Sequence, residues 1–77
     1  MYYDQQTIRY YVMDRVQTGR EMEAQALLQE GFQKMDEGAF TKVYMDDFMA
    51  RLLPLIRPEC AEGLKRDAAQ AGYSLVQ

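Results

Sequence analysis

The chain has 77 residues, 48% of them apolar and 27% charged, with nine Lys and Arg against twelve Asp and Glu for a net charge of −3. That length supports one small core and excludes two domains, and the composition lies far from the polar, highly charged corner where chains stay disordered. The lack of histidine and the single cysteine remove the imidazole bases and ligands of most hydrolytic and zinc sites, and any disulfide within the chain.

The apolar spacing predicts four helices. Asp4 suits the cap of a first helix over 5–17, whose Ile8, Tyr11, Val12 and Val16 recur at helical spacing and form its core face. Thr18-Gly19-Arg20-Glu21 matches a capping box and opens a second helix over 19–37. There Ala24, Leu27, Leu28, Gly31, Phe32 and Met35 share one face, Gly31 permits close approach of another helix, and Glu30 and Lys34 pair outside that face.

Gly38 suits the left-handed position that ends a helix. Phe40-Thr41 then reads as staple and cap of a third helix over 42–56, with Phe40 packing on Met45. Its stripe of Met45, Phe48, Met49, Leu52, Leu53 and Ile56 is the strongest periodic signal in the chain and predicts the central helix, with Pro54 causing a kink or a stop. Pro58 and Glu59 suit the start of a short fourth helix over 58–71, capped by Gly72. Its inner face of Cys60, Ala61, Leu64, Ala68 and Ala71 is narrow, and the tail after it is expected to cover the end of the bundle. The fold expected is an all-α, single-domain helical bundle over 1–77.

Targeting and membrane signals are not expected. The start lacks a basic segment followed by an apolar run, and the longest apolar-rich stretch, Phe48 to Ile56, is broken by Arg51 and Pro54, far short of the roughly 20 residues of a membrane span. An unpaired Cys60 fits a reducing compartment, so a cytoplasmic location is expected.

Short motifs point to chemistry that their context does not support. Tyr44-Met45-Asp46-Asp47 resembles the polymerase motif of reverse transcriptases, but a palm domain needs a far longer chain and here both aspartates face outward on a helix. Asp36-Glu37 and Asp46-Asp47 lack the spacing of a calcium loop, and bundle di-iron sites need histidine. Cys60 at the start of the fourth helix has no partner group for redox or nucleophilic work. The length suits an acyl carrier protein, but the attachment Asp-Ser-Leu is missing and the only serine is Ser74. No catalytic residue, cofactor or metal is therefore expected.

Two binding readings remain. Glycine-containing turns at Gly19 and Gly38 are compatible with a helix-turn-helix nucleic-acid binder. Residues 1–38 carry four basic and seven acidic side chains, residues 39–77 carry five of each, and no helix shows a one-sided basic face, which disfavours a polyanion partner. The favoured reading is a small regulator or inhibitor that docks a Tyr/Met surface onto a protein partner or onto a second copy of itself, as in a phage or mobile-element inhibitor of a host enzyme. Tyr3, Tyr10 and Met13 fall on the side of the first helix opposite its core stripe, and Tyr44 and Leu55 widen the third-helix stripe beyond what one neighbouring helix covers.

Overall fold

Asp4 caps the first helix as expected: its carboxylate accepts the Thr7 N–H at 2.6 Å, and that bond holds the Asp4 pKa below its ordinary value. In the computed structural model, which describes residues 4–76 apart from the side chains of Tyr73 and Ser74, the helices are α1 (Gln5–Met13), α2 (Glu21–Asp36), α3 (Lys42–Leu52) and α4 (Pro58–Leu75), with a 3₁₀ turn at Leu53–Leu55. The domain is all-α.

α1 stops four residues before the expected end. Arg15 N–H turns back to the Val12 carbonyl, and Val16 forms an isolated antiparallel bridge with Ile56. Gln17 N–H donates to the Leu55 carbonyl at 2.8 Å and Arg57 N–H to the Arg15 carbonyl at 2.9 Å. The Gln17 side-chain amide donates to the carbonyls of Pro54 and Ile56, each at 3.1 Å. The α1–α2 link and the link into α4 are thus laced together. Val16 fits the helical phase of the α1 stripe, but pairing lets it bury without helix: it is 5% exposed and Ile56 is 2% exposed.

The capping box is replaced by a related arrangement. Arg20 is the N-cap and makes no side-chain cap bond; the Glu21 carboxylate instead accepts the N–H of Gly19 at 2.7 Å, and Arg20 pairs with Glu23 at 2.7 Å. The start of α2 is thus anchored from Glu21 rather than from Thr18, and acidic Glu21 and Glu23 in the first turn complement the helix dipole.

Gly38 has φ +72°, the left-handed conformation that lets the chain leave α2. Thr41 then caps α3 by accepting the Tyr44 N–H at 3.2 Å. The buried Phe40 ring meets the rings of Tyr44 and Phe48 edge-on, at 5.4 and 6.1 Å between centroids. Pro54 acts as a stop for regular helix, since α3 passes into the 3₁₀ turn that holds it.

α4 differs most from expectation. It is the longest helix, with 18 residues, and its C-cap is Val76 rather than Gly72. Gly72 is instead a packing position, where a Cβ would lie 3.1 Å from the Met45 sulfur. Residues 73–75 belong to the helix rather than to a separate tail.

The stripes meet in one core. Val12, Val16, Ala24, Leu27, Leu28, Phe32, Phe48, Leu52, Leu55, Ile56 and Leu64 form a buried cluster. Leu28, Leu52 and Ile56 are its largest fully buried side chains. α2 and α3 close on each other at Gly31, where an added Cβ would come within 2.9 Å of the Phe48 ring. The absent side chain is what lets that ring seat against the α2 backbone. No helix among the described residues is long and apolar enough to cross a membrane.

Candidate functional site

The outward side of α1 carries Tyr10, 65% exposed, against a core side held by buried Val12. The Tyr10 hydroxyl accepts the Gln6 side-chain amide at 2.7 Å, one helical turn away. Met13 does not share that side fully: it is partly buried and packs against the core cluster. Tyr3 lies outside the described residues. The two-faced reading of α1 therefore narrows to Tyr10.

Tyr44 and Leu55 are covered from within the chain, and their expected place on a docking surface is corrected. Leu55 is only 6% exposed and belongs to the core, because the 3₁₀ turn swings it inward beside Ile56. The Tyr44 ring packs partly buried against the same core, and its hydroxyl donates to Glu30 at 2.6 Å. Arg51 grips both oxygens of that carboxylate, at 2.7 and 3.4 Å, and also pairs with Asp47 at 3.0 Å.

Glu30 thus bonds across to α3 rather than to Lys34, whose ammonium lies 5.8 Å from the Tyr44 ring centroid. The Arg51 and Tyr44 bonds hold the Glu30 carboxyl down at about 2. Burial first, and Glu30 second, push the Tyr44 phenol up to about 12. This cluster fastens α2 to α3.

The remaining motifs resolve into surface contacts. Asp46 pairs with Lys42 at 3.2 Å and Asp47 with Arg51, so the two aspartates of the polymerase-like tetrapeptide are each held by a cation of their own helix. No group of three or more acidic, Cys or His side chains able to hold a metal ion occurs among the described residues. Cys60 is a free, half-buried thiol, and its sulfur accepts from the Arg57 guanidinium at 3.6 Å.

Two apolar residues that the helical stripes did not single out are strongly exposed: Met22 at 85% and Val43 at 80%. Each sits roughly 150° from the centre of its helix's stripe at 100° per residue, so the signal was present as an apolar residue on the polar side. Tyr10, Met22 and Val43 lie on the outward sides of three different helices.

The bundle also holds a cavity. A space of about 310 Å³ lies among all four helices, walled by Met35, Met45, Met49, Phe40, Phe48 and Leu64. Exposed Thr7 of α1 and exposed Asp67 and Gln70 of α4 also line it, which places its mouth at the α1–α4 seam. There the Tyr11 hydroxyl donates to the Asp67 carboxylate, and burial together with that bond pushes the Tyr11 phenol up to about 12. The Arg15 guanidinium stacks 3.8 Å from the Tyr11 ring centroid and donates to the Tyr11 carbonyl. A second, more open groove between α3 and α4 shares Met45, Met49 and Ala68 with the cavity and carries Lys42, Asp46 and Lys65 on its rim.

No known protein family, curated protein or solved structure matches this chain.

Proposed function

We propose that this chain is a small intracellular protein-interaction module, a regulator or inhibitor that acts by docking the Tyr10 side of α1 onto a protein partner or a second copy of itself. The observation that carries this reading is Tyr10, an aromatic ring 65% exposed on a helix whose other side is core. A tyrosine supplies a large contact area with a polar handle and little entropy to lose on docking. The free thiol of Cys60 supports a reducing compartment.

The test is a Tyr10→Asp variant, without the Met13 substitution that would disturb the core. Affinity capture from the source lysate, with light scattering for self-association, should show a partner or dimer that the variant loses at an unchanged melting temperature. A wild type that stays monomeric and captures nothing specific, or a variant that melts well below it, would refute the reading. Nucleic-acid binding is the competing reading. It gains no support from the helix faces, where the α2 start sets Arg20 against Glu23, and a salt-dependent gel shift would be its signature.

A further inference from the structure

We infer that the cavity between α1 and α4 is a binding site for a slender cationic amphiphile: an unbranched apolar body of roughly ten heavy atoms carrying an ammonium head. At about 30 Å³ per water-sized group, the roughly 310 Å³ of this half-open pocket has room for about ten methylene-sized groups. Open spaces of a few hundred Å³ with mostly apolar walls and a few polar groups at one end are the usual form of small-molecule sites.

The walls and the mouth choose the guest. Met35, Met45 and Met49 line one region, and their unbranched, polarizable side chains adapt to a flexible chain better than to a rigid ring system. Among the described residues lining the cavity, Asp67 alone is charged, and Thr7, Tyr11 and Gln70 are the other polar side chains. The Tyr11 hydroxyl occupies one acceptor site on Asp67, and a carboxylate offers about four, so an ammonium at the mouth gains a charge-assisted bond where a carboxylate head meets repulsion. Arg15 is engaged by the Tyr11 ring and carbonyl and does not line the cavity.

Tyr11 and Asp67 also form the latch of the mouth. The strongest helix packing runs α1 on α2, α2 on α3 and α3 on α4, and the chain leaving α1 is laced to the start of α4 by the Arg57 N–H on the Arg15 carbonyl, so the Tyr11–Asp67 bond closes a seam that is already tied at one end. This inference rests on the cavity alone and is independent of Tyr10.

The experiment titrates the full chain with decylammonium and, separately, with decanoate, both below their micelle thresholds, following amide shifts by NMR. Saturable binding of decylammonium, roughly tenfold or more tighter than decanoate, with shifts centred on Ile8, Leu64 and Ala71, is the expected result. Asp67→Asn, a surface change, should erase the preference between the two heads. Ala71→Leu, which fills the cavity, should weaken decylammonium at least tenfold without lowering the melting temperature. Equal or tighter binding of decanoate, no saturable binding of either probe up to millimolar concentration, or an Asp67→Asn variant that keeps the preference would each overturn the inference. If Ala71→Leu fails to fold, the head-group comparison in the wild type and in Asp67→Asn decides alone.

Discussion

The Arg51 guanidinium of α3 reaches the Glu30 carboxylate of α2 at 2.7 Å, and the Tyr44 hydroxyl meets the same carboxylate at 2.6 Å. One acid therefore joins two helices through two donors, and it stays ionised far into the acid range, with a pKa of about 2 against an ordinary 4.5. Because the folded value is depressed, the stabilisation is fully present above about 4.5 and is lost as the pH falls towards 2. Glu30→Gln should therefore melt below the wild type at pH 6, and the two curves should converge near pH 2. A gap that persists at pH 2 would assign the loss to packing rather than to charge.

Tyr11 and Tyr44 should stand out in an alkaline titration. Both phenols are pushed up to about 12 from 10, so each stays neutral in the fold after an unfolded tyrosine has ionised. Their contribution is complete below 10 and is lost as the pH rises through 12. Ultraviolet difference absorbance should show Tyr11 and Tyr44 ionising only as the fold is lost. Tyr11→Phe and Tyr44→Phe should each remove one late step. Ionisation of Tyr11 and Tyr44 near 10 in the intact fold would contradict the Asp67 and Glu30 hydrogen bonds.

Two glycines inside helices should respond in opposite directions to alanine. At Gly63 nothing lies within 4 Å of an added Cβ, so Gly63→Ala should gain about 0.5–1 kcal/mol from helix propensity. At Gly31 the new carbon would lie 2.9 Å from the Phe48 ring, which is itself buried. Overpacking there should outweigh the propensity gain and cost about 1–2 kcal/mol net. A pair of thermal melts checks this, at roughly 4–8 °C per kcal/mol for a domain of this size.

Leu55→Ala should cost about 2–4 kcal/mol, the range for truncating a buried leucine, because Leu55 is only 6% exposed. A change within 0.5 kcal/mol, as expected of a surface position, would return it to the outside of the molecule. Chemical denaturation midpoints at constant slope provide the measurement.

What was legible in the chain was what short-range periodicity carries. The stripe residues Leu28, Phe48, Leu52 and Leu64 are buried where their spacing placed them, and Asp4, Gly38, Thr41 and Pro58 mark element ends by local chemistry. What local pattern missed depends on partners distant in sequence. Val16 keeps the phase of a helix but pairs with Ile56, and Gly72 has the composition of a cap but the role of a contact with Met45. Glu30 sits four residues from Lys34, yet binds Arg51 across the interface. The cavity is walled by residues of all four helices, which no single helix's stripe encodes; Tyr10, by contrast, was readable as an apolar residue on the wrong side of α1.

The lacing of Arg15 and Gln17 to Leu55 and Arg57 bears on how the molecule divides. The exposed turn at Gly38 lies midway between those two laced links, with α1 and α2 on one side and α3 and α4 on the other. Severed there, each half keeps one edge of the lacing and one wall of the Gly31–Phe48 contact, and neither half alone buries its stripe. The stability of either pair of helices therefore depends on the other pair, and the chain has no half that closes its own core.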